Sequence, residues 1–231
     1  MIEKRAHDRM VKMNEKLPIA EIPIGFFEYT TTFKEPIFAA WYDSSHTVII
    51  ELYKVLQQWG VGLEKVSGNL TPQNMKEAQI TFAVPNPSVL IHLGIGELKM
   101  VANNVDWSQA PVLVTLFQAV LNKVTTAAKA NLQSHQTVLA FHVKAGPTPF
   151  RDIMNQFVNA KALGKEDPSM IGVGLYSPEY SIVIDNSLAV PNGIFVRITR
   201  VFSPERSFED MATMLWKDEE GLLQRLGFRA Q

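Results

Sequence analysis

A doubled order of elements constrains this chain more than any single segment does. A short alternating segment, an amphipathic helix, three further alternating segments and a second helix read through residues 1–133. The same order runs again from about Gln136 to Phe228, within residues 134–231. Internal repetition fixes an architecture, though it fixes no chemistry.

The first pass opens on Ile22 to Phe33, aromatic and threonine-rich, which reads as a strand. Asp43-Ser44-Ser45 then offers a helix cap, and Val48, Ile49, Leu52, Val55, Leu56 and Trp59 mark one apolar helical face. Gly60 and Gly62 end that helix, and Val61 to Met75 reads as a polar connection. Strands follow at Gln79–Val84, at Val89–Ile95 and from Leu98 to Ala102, separated by turns too short for parallel pairing. Ser108 can cap the next helix, with Pro111 in its first turn. Its stripe is Leu113, Leu116, Phe117, Val120, Leu121, Val124, Ala127 and Ala128.

The second pass starts with alternation from Gln136 to Val143 and restarts at Gly146-Pro147-Thr148-Pro149. A short helix carries Phe150, Ile153, Met154, Phe157 and Val158, and three strands run Met170–Tyr176, Tyr180–Leu188 and Ile194–Phe202. Ser207-Phe208-Glu209-Asp210 resembles a capping box, opening a last helix through Leu226. The expected fold is therefore α+β: a duplicated β-α-β-β-β-α unit, an antiparallel sheet or pair of sheets, and long helices packed on one face. A charged helix is expected at Met1 to Lys16, ahead of the first half, and the two halves are expected to form one compact domain.

Two stretches carry a family resemblance. Ile24-Gly25-Phe26-Phe27-Glu28-Tyr29, and Leu90 through Asn104 continuing into Trp107, resemble the opening strand and central hairpin of a sporadically distributed bacterial family of about this length. Where that family tends to carry arginine, tyrosine and asparagine on the fifth strand, this chain has Phe141-His142-Val143-Lys144. The resemblance implies a bacterial protein and brings no activity with it. The order of elements is also similar to that of TATA-binding-protein-like and helix-grip folds, an analogy of fold that carries no function.

The residues argue against most chemistries. There is no cysteine, which excludes disulfides, thiolate metal sites and cysteine nucleophiles. No two of His7, His46, His92, His135 and His142 stand at metal-ligand spacing, so no metal is expected. Gly94-Ile95-Gly96 and Gly172-Val173-Gly174 are incomplete as dinucleotide fingerprints, so no cofactor is expected either. With 22 basic against 23 acidic residues the net charge is −1, and nucleic-acid binding, which needs a basic face, is disfavoured. Met1 to Lys16 lacks an apolar signal core, and the richest apolar run, Val112 to Leu121, is interrupted by Thr115 and Gln118. A cytoplasmic protein without a membrane span is the expectation.

What remains points to a surface. His92 and His142 sit in strands of opposite halves and could face one another across the sheet. Asp185 and Arg197 could be cross-strand partners, worth about 0.2–1 kcal/mol if exposed, or could mark a polar spot on a binding surface together with Arg200. Trp107, at the entrance of the long helix, is a candidate pocket rim. The sequence therefore favours a non-enzymatic interaction module, a homo-oligomer or a subunit of a larger complex, with no catalytic set. The alternative is a binder of a small apolar ligand in a cleft between sheet and helices.

Overall fold

A computed structural model describes residues 17–42, 46–69, 77–105, 107–145, 150–155, 157–158 and 172–230. The expected charged helix at Met1–Lys16, the cap at Asp43-Ser44-Ser45, the restart at residues 146–149 and the strand start at Met170 lie outside them.

Strands form where alternating segments bury one parity of side chains and, at the two sheet edges, where a neighbouring strand offers free backbone groups. They are β1 (Ile24–Phe33), β2 (Val66–Asn69), β3 (Gln79–Val84), β4 (Val89–Gly94) and β5 (Glu97–Asn103), then β6 (Leu132–Lys144), β7 (Val173–Tyr176), β8 (Tyr180–Asn186) and β9 (Gly193–Phe202). All nine join one continuous antiparallel sheet in the order β2-β3-β4-β5-β1-β6-β9-β8-β7. The helices are α1 (Ala39–Tyr42), α2 (Thr47–Gln57), α3 (Ala110–Ala128), α4 (Phe150–Met154) and α5 (Phe208–Arg225).

Two local expectations fail for stated reasons. The supposed polar connection after Gly62 holds a short 3-10 turn, Leu63–Lys65, and then β2, which pairs with β3. Gly68 is required there, because a Cβ would stand 2.5 Å from the Gln79 carbonyl oxygen. Ser108 falls inside a 3-10 turn, Trp107–Gln109, so Gln109 holds the cap position of α3 without a side-chain bond, and Pro111 takes its place in the first turn. Ser207 does cap α5, its hydroxyl oxygen accepting the Asp210 N–H at 3.0 Å.

By length and a mean hydropathy of 1.2, α3 meets the measure for a bilayer span that no run was expected to approach. Its buried stripe, Leu113, Leu116, Phe117, Val120, Leu121 and Val124, instead covers the sheet. Gln118 and Asn122 bond at 2.7 Å on the outer side, and Lys123 reaches Glu51 of α2 at 3.1 Å.

The core therefore lies on one face of the sheet. One cluster joins α2, α3 and strands β3 to β5, and a second joins α4, α5 and strands β6, β8 and β9; Phe27 packs against both. At the seam Phe117 stacks on Phe27 at 5.7 Å, and its edge meets Phe208 at 5.8 Å. Tyr29, fully buried, lies 5.2 Å from Phe208.

A polar thread runs through this apolar seam. The His135 ring bonds the Tyr29 hydroxyl through Nδ1 at 2.7 Å and meets the Pro204 carbonyl through Nε2 at 3.2 Å. A carbonyl only accepts, so Nε2 carries the hydrogen and Nδ1 accepts the Tyr29 O–H. Burial holds the His135 pKa below its ordinary 6.5 and pushes that of Tyr29 far up. Since the folded value is the lower one, the stabilisation is fully present above about pH 6.5 and is lost as pH falls below it. His92 and His142 are shifted the same way. Urea unfolding at pH 7.5 and 5.5 should accordingly show a smaller pH dependence in His135→Gln than in the unsubstituted chain. An equal dependence in both would show that His135 is not buried in its neutral form.

Candidate functional site

Among the described residues the helices cover one face of the sheet and leave the opposite parity of the strands open. In β1 that parity is Ile24, Phe26, Glu28 and Thr30. Pairing sets these beside His142, Ala140, Val138 and Gln136 of β6. Beyond β6, His142, Ala140 and Val138 stand opposite Phe195, Arg197 and Thr199 of β9. One row across the sheet thus reads Asn103, Phe26, Ala140, Arg197, Val183.

Large side chains around a small one make a hollow. Phe26, Arg197, His142 and Phe195 surround Ala140, and the resulting open concavity of about 380 Å³ is also lined by Ile24, Val138 and Glu28. Ala140 and Val138, although on the open face, are 9% and 4% exposed and form its floor.

The polar groups at the rim are unequally satisfied. Glu28 is engaged, its carboxylate 2.8 Å from the Lys99 ammonium. Arg197 is exposed and makes no hydrogen bond or ion pair among the described residues. The orientation of His142 follows from its neighbours. The Ser187 oxygen accepts the Val190 N–H at 2.8 Å and the Ala189 N–H at 3.2 Å, which occupies both lone pairs. Its O–H must then donate to His142 Nδ1, 2.7 Å away, and this leaves the proton of the imidazole on Nε2. Burial keeps the His142 pKa below its usual value, favouring the neutral ring, which also lies 5.1 Å from Phe195.

The expected site residues are dispersed. His92 and His142 share the open face but do not meet, because β5 and β1 lie between β4 and β6. His92 instead takes Thr81 at 2.9 Å and Gln79 at 3.0 Å on its Nδ1. Asp185 and Arg197 also share that face, yet the register sets Asp185 opposite Phe195 and Arg197 opposite Val183, and no ion pair joins them. Asp185 accepts its neighbour's N–H, from Asn186, at 2.7 Å. Arg200 lies on the other face. There it forms a two-pronged pair with Asp218 of α5, with Nη2 to Oδ1 at 2.8 Å and Nε on Oδ2, and lies 4.5 Å over the Tyr180 ring. Its role is to hold the last helix on the sheet. Trp107 opens the 3-10 turn before α3, and its side chain lies outside the described residues.

Phe26, Ala140, Phe195 and Ser187 did not figure among the expected site residues. Alternation in β1 and β9 already places Phe26 beside Glu28 and Phe195 beside Arg197 on one face; the missing information was which face the helices leave bare. On the covered side, the space between α3, α5 and the sheet, lined by Phe27, Leu113, Leu139, Phe208 and Leu215, is only about 40 Å³. That admits water and falls well short of the few hundred Å³ a small ligand fills.

Fold and site together define a mixed α/β protein with one broad antiparallel sheet, helices on one side and a polar-rimmed hollow on the other. No family model and no curated protein matches the chain. Among solved structures, the TBP of Methanococcus jannaschii aligns over 90% of this chain and 98% of its own, at 13% identity and a TM-score of 0.30. At that score the likeness carries no function.

Proposed function

We propose that this protein is a non-enzymatic interaction module whose uncovered sheet face joins it to a second copy of itself. The observation that carries this reading is the side of a nine-stranded sheet that no helix covers among the described residues. On it Phe26, Leu90, Val183, Phe195 and Val201 are partly or well exposed around the buried Val101, Val138 and Ala140. Monomeric proteins seldom expose an apolar patch of that breadth without a use for it. Charge favours a copy of the same chain as the occupant. The face bears Glu28 and Asp185 against Lys99 and Arg197, so acids and bases are present together, as a self-complementary contact requires. A dimer predicts that sedimentation equilibrium at rising concentration gives a mass above 25.9 kDa, and that Phe195→Lys returns it to 25.9 kDa. A strict monomer at several hundred micromolar would exclude self-association and leave a different subunit as the partner.

We further infer that the two halves derive from one duplicated unit. In support, reading outward from the central β1-β6 pair gives β1, β5, β4, β3 on one side and β6, β9, β8, β7 on the other. The second reading, a small apolar ligand between sheet and helices, is not favoured by a space of about 40 Å³.

A further inference from the structure

We propose that the hollow over Ala140 is a binding site for a small monocarboxylate with an aromatic or apolar body. This goes beyond the interaction reading; the hollow lies within the face proposed there as the contact, so it is open in the dilute monomer and covered when two copies meet. Three features select the ligand class. First, the two free polar groups at the rim both donate: the Arg197 guanidinium, which has no partner among the described residues, and the Nε2–H of His142. The hydrogen bonds at Ser187 fix that tautomer, so the imidazole presents a donor rather than an acceptor. His142 and Arg197 are diagonal neighbours on β6 and β9, a separation of about 7–8 Å, somewhat less at Cβ, that the long arginine stem can span. A carboxylate can therefore take one hydrogen bond from each, with the planar guanidinium facing it.

Second, the walls are Phe26 and Phe195, and the floor is the methyl group of Ala140. Two aromatic sides and a shallow apolar floor suit a flat ring better than a hydrated ion. A volume of about 380 Å³ falls in the range of small-molecule sites. Third, the rim offers a single unpaired charge among the described residues, that of Arg197. Glu28 lines the hollow and is already neutralised by Lys99 at 2.8 Å, so the free positive charge amounts to one guanidinium. A second negative charge on the ligand would meet the Glu28 carboxylate without a counter-ion, which disfavours phosphate esters and dicarboxylates.

The test uses the full chain with phenylacetate as probe, and with benzyl alcohol and phenyl phosphate as neutral and dianionic comparators. Calorimetry reads affinity, and nitrogen-resolved spectra of the imidazole read His142. Phenylacetate should bind saturably, at least tenfold more tightly than either comparator, and shift the Nε2 resonance of His142. Arg197→Gln should weaken it at least tenfold, and Ala140→Leu should abolish it by filling the floor. Arg197 is exposed, so R197Q decides the matter alone if A140L fails to fold. No saturable binding, equal binding of phenyl phosphate, or an affinity unchanged in R197Q would overturn the proposal. The same samples are sedimented. Binding is read at a concentration where the chain is monomeric. A chain that stays monomeric at every concentration yet binds phenylacetate overturns the self-association reading alone, and one that associates when concentrated but binds no carboxylate as a dilute monomer overturns this one alone.

Discussion

Replacing Phe117 by alanine should destabilise the chain by about 3–5 kcal/mol, the range for an aromatic ring removed from a closed core. Phe117 is fully buried, and from α3 it touches aromatic groups of both halves. It stacks on Phe27, lies 6.5 Å from Tyr29 and meets the edge of Phe208 at the start of α5. Those neighbours are held in place by the β1-β6 pairing and by the bond from Tyr29 to His135, so they cannot collapse into the void. The measurement is the urea midpoint followed by circular dichroism, with an unchanged slope marking a pure stability effect. Phe117→Leu, which keeps most of the volume, should lose much less. A loss below 1 kcal/mol for F117A would mean that α3 does not pack at the seam described.

Glu219→Gln should act in the other direction. Glu219 occupies the sheet-facing stripe of α5 between Leu215 and Leu222 and is 8% exposed. Burial pushes its carboxyl up from 4.5 to about 7. The folded state thus prefers the protonated acid, and the penalty is absent below the unfolded value of 4.5, grows through the interval and is complete above about pH 7. A rise of that size corresponds to a penalty of about 3 kcal/mol, which is a ceiling on the gain because glutamine also buries a polar amide. E219Q should therefore be the more stable chain at pH 8 and nearly equal to the unsubstituted one near pH 4.5. A gain independent of pH would show that the carboxylate reaches solvent. The histidines oppose this trend, since their lowered pKa values make the fold more stable as pH rises through the region near 6.5. The pH profile of the unsubstituted chain is the sum of the two, and only the single substitutions separate them.

How much of this was legible in the sequence varied with the kind of signal. Strands β3, β4 and β8 alternate cleanly, and the stripe of α3 repeats at helical spacing, so these elements could be read directly. Strand β2 could not. Its Val66-Ser67-Gly68-Asn69 is short and polar and exists because β3 offers it a free edge, which is a tertiary cause. The reading of Arg197 and Arg200 as one polar spot overlooks parity in β9, where three residues apart means opposite faces. Sequence could not supply the partner, because Asp218 sits on a helix that reaches Arg200 only after the sheet has formed. The expectation that His92 and His142 could face one another across the sheet fails, because β1 and β5 insert between their strands, an order that no local pattern sets. The hollow escaped for a similar reason. It is made by Ala140 being small among large neighbours contributed by β1, β6 and β9, and a lone alanine in an apolar strand gives no signal.

The most direct test of the uncovered face as the contact surface is hydroxyl-radical footprinting of dilute and concentrated samples. Concentration should protect Phe26, Phe195 and His142 on the open face, while Trp216, 44% exposed on the helix side, and Tyr42, 57% exposed, stay equally reactive. Protection of Trp216 with Phe26 and Phe195 unchanged would contradict the account and move the contact to the groove between α3 and α5.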